Sequence, residues 1–491
     1  MNQIPILIIT LPLLLTPILL LIRKINIVYV LTLVISLINI ILILTLGIEV
    51  YNNGNIIYEL GGWPAPIGIR LNADLLSCYF LTFINVMSFL CLVSSKNIIK
   101  HQIHEDNLYL FYIAWLLCNI GFSGIVLTDD IFNLFVFLEI SSLSSYFLIS
   151  QANYKGSLLA AIQYLFIGSI GAVFILLAIG ILYAHTGTLN MHDLAMKIGQ
   201  AKFSKSIIFS LGLLLAGIGI KSALFPLHGW LIKTYAYAPS IVTTYFSGTS
   251  TKIGIYILLR VFLDILNSIS PLEYYKLAQF ILFISLLGVL LSTFYAVKQQ
   301  EVKKMLAYSS VAQLGYIIIA IMLLIPDGLT ASLIHVVNHS IIKTGLFLII
   351  AIIFINNQNV MIEDLSGLGK KYPILMSCFV VLGFGLIGLP ITSGFISKWY
   401  LVTAMLKSEY WYFTFIVLLT SFMTLFYVWA LIEKIYFATN NNSSAVNNIS
   451  IYQIFCVITL TIMTIYLGLE TSLTSGIAQN ISSDFYRIIE K

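Results

Sequence analysis

The chain has 491 residues, of which 59% are hydrophobic and only 9% are charged, with a net charge of +5. A soluble globular domain carries about 25% charged residues, so this composition excludes a soluble protein and indicates that lipid is the solvent. The small excess of lysine and arginine is typical of the short loops of membrane proteins and does not indicate nucleic-acid binding. From the apolar composition, we predict one all-α integral membrane domain over residues 1–491.

Apolar segments long enough to cross a bilayer recur along the chain. A helix needs about 20 predominantly apolar residues to span the hydrocarbon core. The first segment lacks a basic leader and a small-residue cleavage site, so we interpret it as a helix of the bundle and not as a signal peptide. We predict a polytopic bundle of about fourteen transmembrane helices, at 4–22, 27–47, 73–95, 108–127, 130–151, 158–184, 206–226, 239–266, 271–297, 303–325, 328–355, 372–402, 410–437 and 450–470.

The connecting segments predict an orientation. Segment 48–72 contains turn signals and is interpreted as an external loop. Short cytoplasmic loops are enriched in lysine and arginine, which places both termini outside. We expect the membrane to be a bacterial inner membrane. Lys197, Lys202 and Lys205 fall on the opposite side, in the longest loop, where an amphipathic surface stretch would hold them. The residues assigned to the cytoplasmic side are Arg23, Lys24, Lys96, Lys100, Lys155, Lys233, Lys298, Lys303, Lys304, Lys370, Lys371 and Lys434.

The cysteines do not predict a redox or metal centre. All five lie in apolar segments without CxxC spacing, so disulfides, iron–sulfur clusters and zinc sites are not expected, and we interpret them as small core residues. We predict no catalytic residue, no cofactor and no metal ion in this chain. The cysteines are Cys78, Cys91, Cys118, Cys378 and Cys456.

Among the ionisable side chains inside the predicted spans, we single out one carboxylate and four lysines: Glu139, Lys221, Lys252, Lys343 and Lys398. A charge at the centre of a bilayer costs a few kcal/mol on insertion scales, so such residues usually face the protein interior and mark ion pathways. For a lysine near a helix end, snorkelling or structural pairing is the alternative.

Glu139 and Lys221 are the deepest of these residues and have opposite charges. A pair of this kind can keep both groups charged, whereas a buried lysine without a partner tends to lose its proton. A lysine poised between these two states can carry protons.

A further polar stripe lies in the span 328–355. His335, His339 and Lys343 are spaced i, i+4 and i+8, which places them on one helix face. Zinc binding by the two histidines would need further ligands that this segment lacks. Core histidines with satisfied hydrogen bonds are an alternative. We favour a proton relay, because the unperturbed pKa of histidine is about 6.5.

Two of the lysines accompany predicted helix breaks. Lys221 is followed by Pro226, and Lys398 is preceded by Pro390 within the run 372–402, which is too long for one straight helix. Broken helices at corresponding positions of two halves indicate transport sites built from internal repeats. The spacing predicts one five-helix unit at 108–266 and a second at 271–437.

Several sequence runs resemble a known family. The chain is similar to the antiporter-like subunits shared by Mrp-type cation/proton antiporters and the membrane arm of respiratory NADH–quinone oxidoreductase, with features closest to the D subunit of the Mrp antiporters. The matching runs are GGWPAPIGI (61–69), LTDDIFNLFVFLEISSLSSYFLI (127–149), GIKSALFPLHGWL (219–231), TKIGIYILLRVF (251–262), KKMLAYSSVAQLGYI (303–317), HSIIKTGLFL (339–348) and GLPITSGFISKWYL (388–401).

The resemblance implies fourteen helices with two inverted five-helix repeats and a hydrophilic axis at mid-membrane. It also implies a role for each ionisable residue, carried over by motif position. Glu139 and Lys221 would form the charge pair, Lys252 would bridge, the helix of His339 and Lys343 would continue the line, and Lys398 would end it. His335 matches the pattern less closely.

Three functions remain open from the sequence. The first is a proton-conducting subunit of a multisubunit antiporter, with protons and Na+ or another monovalent cation as substrates and other membrane subunits as partners. The second is a proton-pumping subunit of a redox enzyme, whose flavin and iron–sulfur centres would belong to partners because the chain contains no cofactor motif. The third is a structural scaffold, which would have to explain five intramembrane charges.

Overall fold

The computed structural model describes residues 3–200, 205–268, 270–355, 359–438 and 449–489. These residues are almost entirely helical, with one antiparallel hairpin of strands β1 (Ile56–Glu59) and β2 (Arg70–Ala73). The helices are α1 (Ile4–Ile22), α2 (Ile25–Asn53), α3 (Leu75–Gln102), α4 (Leu108–Leu127), α5 (Ile131–Ser150), α6 (Lys155–Thr186), α7 (Met191–Gln200), α8 (Lys205–Lys221), α9 (Gly229–Tyr237), α10 (Ser240–Gly248), α11 (Ser250–Arg260), α12 (Pro271–Lys298), α13 (Val302–Met322), α14 (Pro326–Ile353), α15 (Leu368–Lys371), α16 (Pro373–Ile387), α17 (Ser393–Lys407), α18 (Thr414–Phe437), α19 (Ile451–Leu469) and α20 (Ser472–Ile489).

Within the described residues, eleven helices have the length and apolar composition that a membrane span requires. The predicted spans 206–226, 239–266 and 372–402 have no counterpart among the eleven, because each is interrupted. The chain leaves helical geometry after α8, between α10 and α11, and between α16 and α17. The prediction of one continuous helix at 239–266 was wrong, since Thr249 has a non-helical backbone (φ −126°, ψ −63°).

The segment 48–72 is more ordered than the loop that the sequence predicted. Helix α2 continues to Asn53, and the strands that follow pair in the register Ile56 to Ala73. Ile56, Leu71 and Ala73 are buried while their neighbours along each strand are more exposed, which is the alternation expected of a hairpin with one packed face. The predicted span ended at residue 47, six residues before the observed end of α2 at Asn53, and the strand pairing was not predicted.

Two further helices lie outside the predicted spans. Helix α7 occupies the long loop before α8, and its buried residues Met191, Leu194 and Ile198 have the spacing of one helical face. Lys197 lies on the exposed face of α7, as expected for an amphipathic surface stretch, whereas Lys202 lies outside the described residues. Helix α20 follows the last predicted span.

The first compact unit contains α1, α2, the hairpin, most of α3, and α4–α8 together with α11. Helix α4 is buried along nearly its whole length and packs against α1, α2 and α5. Helix α6 packs against α5 and α8 and leaves a row of large apolar side chains exposed, including Leu158, Leu159 and Phe166. In a chain with this composition, such a surface is suited to lipid contact.

The second compact unit contains the end of α3, α9, α10, most of α12, and α13–α20. Its centre is α14, in which every residue from Gly328 to Ile353 is buried. Helices α10, α13, α16, α17, α19 and α20 surround α14. The compact units are therefore not contiguous in sequence.

Candidate functional site

Lys221 is the last residue of α8 and is buried in the first unit. Its Nζ donates a hydrogen bond of 2.7 Å to Oγ of Ser142 on α5. Oγ of Ser142 in turn donates to the carbonyl of Leu138, one turn earlier. Because a hydroxyl both donates and accepts, Ser142 can bind this amino group in its protonated and its neutral form.

Glu139 lies on α5 three residues before Ser142, so the two side chains project from neighbouring positions of one helix. The carboxylate is half-buried, and its Oε1 atom is enclosed without a hydrogen-bond partner in the described part of the chain. The contact partner of Lys221 is Ser142 and not Glu139. A direct Glu139–Lys221 pair is therefore not formed, and any coupling between these two charges acts through space or through the serine.

A small cavity lies beside Lys221, and its lining combines hydroxyl groups with apolar side chains such as Phe122 and Leu138. The hydroxyls and the amino group are partners that a water molecule can bind. Lys252, on α11, is fully buried in the same unit. The polar residues that line the cavity are Ser141, Ser142, Ser145, Tyr164, Lys221 and Ser250.

Helix α14 presents His335, His339 and Lys343 on one face, and all three are buried. The two imidazole rings are nearly parallel, with centroids 6.3 Å apart. Nδ1 of His335 lies 2.8 Å from Oγ of Ser397 on α17. Lys343 donates to the carbonyl of Leu306 at 2.9 Å and to the hydroxyl of Ser309, both on α13.

The break between α16 and α17 binds the Lys398 amino group. Gly388 ends α16 with φ of 88°, a conformation that favours glycine. The last carbonyls of α16 have no partner within their own helix, and Nζ of Lys398 donates to two of them, Leu386 at 3.0 Å and Ile387 at 2.7 Å. A third bond of 2.9 Å reaches Oγ of Ser421. The negative end of the helix dipole stabilises a cation at this position.

The lysines share one type of environment. Among the described residues, no carboxylate forms an ion pair with Lys221 or Lys398. Their acceptors are hydroxyl and carbonyl oxygens, as are those found for Lys343. Neutral acceptors satisfy an ammonium without fixing its charge as a buried carboxylate would. These side chains are suited to gain and lose protons.

One buried charge cluster was missed by the sequence analysis. Arg260 donates to Asp74 at 2.6 Å, to Asp264 at 3.4 Å and to the hydroxyl of Tyr256 at 2.8 Å. Burial alone would raise the pKa of the Asp74 carboxyl, which precedes α3, but the guanidinium and hydrogen bonds with Ser77 lower that pKa below its usual range. The available signal was Arg260 itself, a charge within a predicted span.

A second missed residue is Lys303, which the sequence analysis assigned to a cytoplasmic loop. Its side chain is buried, whereas that of the adjacent Lys304 is partly exposed. Two consecutive residues of a helix point in different directions, so both lysines could not face water at the end of a packed helix. That spacing was the signal available in the sequence.

These features define a class of protein: a polytopic helical membrane protein whose buried lysines are held by hydroxyls and by the freed carbonyls of interrupted helices. Residues 128–424 match the family described as NADH:quinone oxidoreductase/Mrp antiporter, transmembrane. The chain belongs to this family.

Two curated proteins and one solved structure illustrate its relationships. The chain is 37% identical to the N subunit of the NADH-quinone oxidoreductase of Desulforudis audaxviator, over 77% of this chain and 75% of that protein. It is 29% identical to the D subunit of the Na(+)/H(+) antiporter of Alkalihalophilus pseudofirmus, over 86% and 84%. A chain of the membrane-bound sulfane sulfur reductase, an archaeal respiratory membrane complex, superimposes with a TM-score of 0.91 at 28% identity, covering 99% of both chains.

Proposed function

We propose that this chain is a proton-translocating membrane subunit of a multisubunit complex. The observation that carries the proposal is Lys221, a buried lysine at the end of α8 whose Nζ is bound by the Ser142 hydroxyl beside a small cavity that is partly lined by hydroxyl groups. In the first unit, the proton path would use Lys221 and Lys252, with Glu139 tuning the proton affinity of Lys221 electrostatically. In the second unit, it would use His335, His339, Lys343 and Lys398.

The proposal includes fourteen membrane crossings arranged as two inverted five-helix repeats, 108–266 and 271–437. Eleven described helices satisfy the criteria for a span, and the three interrupted pairs, α8/α9, α10/α11 and α16/α17, would each supply one more. Lys221 and Lys398 each accompany one interruption, as expected if the two repeats carry equivalent sites.

The first candidate assembly is a cation/proton antiporter, in which proton movement is exchanged for Na+ or another monovalent cation. It is supported by the relatives named as D subunits of Na(+)/H(+) antiporters and by the sequence features closest to them.

The second candidate is the membrane arm of a respiratory enzyme, favoured by the 37% identity to an N subunit of an NADH-quinone oxidoreductase. In that case the redox chemistry would reside in partner subunits. In either case we place the chain in a bacterial inner membrane with both termini outside, beside other membrane subunits.

Proton transport by the reconstituted complex tests the proposal. We expect Lys221→Met to slow the transport of protons into vesicles by about a hundredfold, within the range for loss of a proton-transfer group. The readout is the quenching of a pH-sensitive dye. Lys276→Met is the matched control, because Lys276 is an exposed lysine of α12. Wild-type transport by Lys221→Met in a correctly assembled complex would refute the proposed role.

A further inference from the structure

The second unit contains a buried lysine that the proposed path does not use. Lys303 lies in the first turn of α13, and its side chain is 2% exposed. Its Nζ donates a 3.0 Å hydrogen bond to Oγ of Ser240 at the start of α10. An ammonium has three donors, and this hydroxyl is the acceptor that the described residues provide.

The surrounding polar groups hold Ser240 in place. The backbone N–H of Ser240 donates to Oε1 of Gln102 at 2.7 Å, and Nε2 of Gln102 donates to the Ser240 hydroxyl at 3.1 Å. Gln102 also donates to the carbonyl of Ile355 at 2.8 Å. Ser240 and Gln102 are both buried. Lys303 therefore points into a fixed, neutral polar pocket rather than into solvent.

A buried carboxylate lies two residues away. The Glu301 residue is 7% exposed and immediately precedes α13. Its Oε2 accepts an ion-pair contact of 2.7 Å from Lys304, while its Oε1 is enclosed and has no hydrogen-bond partner among the residues that the structure describes. Leaving a buried carboxylate oxygen unpaired is unfavourable, so this oxygen is suited to accept a hydrogen bond from water.

The backbone fixes the position of Glu301. Val302 donates to the carbonyl of Val360 at 2.8 Å, and Ile362 donates to the carbonyl of Gln300 at 2.9 Å. These bonds hold the residues on both sides of Glu301 in a short bridge with the segment around Met361. Its carboxylate is thus held between the partly exposed Lys304 and the buried start of α13.

We propose that Glu301 and Lys303 form a proton-exchange site between water and Lys343, an inference that rests on the proposed function. A proton from water binds the Glu301 carboxylate. The described contacts join Glu301 to Lys304 and Lys303 to Ser240, so an intervening water carries the transfer. The carboxyl O–H bond breaks as this water accepts the proton, and the water releases another of its protons to the neutral amine of Lys303, which restores the carboxylate and the water. Lys303 passes the proton on to the Lys343 amine through hydroxyls and water.

The helix geometry supports the direction of this transfer. Lys343 contacts the carbonyl of Leu306 and the hydroxyl of Ser309, which lie three and six residues after Lys303. At a rise of about 1.5 Å per residue, these positions are roughly 4.5 and 9 Å further along α13. On its other side, Glu301 pairs with Lys304, whose side chain is 31% exposed. The Nζ atom of Lys304 also lies 5.4 Å from the centroid of the Tyr237 ring.

A purely structural role for Lys303 predicts a different response to substitution. Arginine keeps the positive charge and the hydrogen-bond donors but does not release a proton near neutral pH. A structural role is therefore preserved in Lys303→Arg, whereas proton exchange is lost. Glu301→Gln keeps the size of the side chain and removes its ability to exchange a proton.

The test measures proton transport by the complete complex in vesicles with a pH-sensitive dye. We expect Glu301→Gln and Lys303→Arg to slow transport by about tenfold or more, in the range for loss of a proton-transfer group. Lys298→Gln, which alters an exposed lysine five residues before Lys303, should transport protons like the wild type. Only preparations that contain every subunit are compared.

Lys221→Met in the same assay separates the two proposals. If Lys221→Met abolishes transport and both Glu301→Gln and Lys303→Arg match the wild type, the exchange site is refuted and the proposed function stands. If Lys221→Met also matches the wild type, the proposed function fails. If Lys303→Arg does not assemble, wild-type transport by Glu301→Gln refutes the exchange site alone.

Discussion

At the scale of single residues, the buried amino groups share a preference for neutral oxygen acceptors. Lys221 is bound by a serine hydroxyl, and Lys398 by two helix-end carbonyls and a serine. A strong ion pair would hold each proton in place, because separating a buried pair leaves an uncompensated charge. Hydroxyl and carbonyl oxygens also accept hydrogen bonds from the ammonium. When the lysine loses its proton, however, they are not left as an uncompensated buried charge, as a carboxylate would be.

Glu139 provides a residue-scale test of electrostatic tuning. Its carboxylate makes no direct bond to Lys221, yet it projects from α5 one turn before the serine that binds that lysine. We expect Glu139→Gln to slow proton transport by about tenfold, because loss of the nearby negative charge weakens proton binding at Lys221. Dye-monitored transport in vesicles is the measurement.

The matched control for that variant is Glu273→Gln, since Glu273 lies in the first turn of α12 with its side chain 46% exposed. The control should transport protons at the wild-type rate. An unchanged rate for Glu139→Gln would mean that the carboxylate and Lys221 are not coupled.

At the scale of helices, the interruption between α16 and α17 provides backbone carbonyl oxygens that accept hydrogen bonds from Lys398. A continuous α16/α17 helix would use the carbonyls of Leu386 and Ile387 in its own ladder. The break at 388–392 frees them for Lys398. Such freed backbone groups are tolerated at membrane depth when protein or a polar cavity satisfies them, and here a side chain of the following helix does so.

Close packing of the two half-helices is testable at Gly394. A Cβ atom at this position would overlap the carbonyl of Gly385 on α16. We therefore expect Gly394→Ala to destabilise the second unit by about 1–3 kcal/mol, the usual effect of overpacking, and to lower the apparent Tm of the purified complex. Thermal unfolding followed by intrinsic fluorescence measures this change.

Gly180→Ala serves as the comparison, because a Cβ atom at Gly180 on α6 meets no atom within 4 Å. Alanine also has a higher helix propensity than glycine, so this variant should unfold at or above the wild-type temperature. Equal unfolding temperatures for Gly394→Ala and the wild type would contradict the close approach of α16 and α17.

At the scale of the whole molecule, partners decide which function the chain serves. It contains no cofactor motif, and its relatives include components of both an antiporter and a redox enzyme. Affinity purification of the tagged chain in a mild detergent, followed by mass spectrometry, distinguishes the two. If the antiporter assignment is correct, we expect only hydrophobic membrane subunits to co-purify.

Recovery of flavin or iron–sulfur subunits in that purification would contradict the antiporter assignment and place the chain in a respiratory enzyme. An unrelated membrane protein carrying the same tag controls for nonspecific capture. Purification of the chain alone would contradict both assemblies.

Composition and local sequence determined the class of protein. The low charge and the recurrent apolar runs predicted a polytopic helical membrane protein, because the cost of placing a residue in lipid depends mainly on that residue and its near neighbours. The motifs identified the family. The ionisable residues within the predicted spans led to the prediction of a proton path through lysines and histidines. Residue types within one segment were sufficient for these predictions.

Only the tertiary structure decided which groups meet. Lys221 contacts Ser142, 79 residues away, instead of the predicted Glu139, and Lys303 contacts Ser240 in a buried pocket although the sequence placed it in a loop. The break at Thr249 and the pairing of β1 with β2 were also missed. For the two lysines, the physical reason is that their contacts depend on the packing of helices distant in sequence, which the periodicity of one segment does not encode.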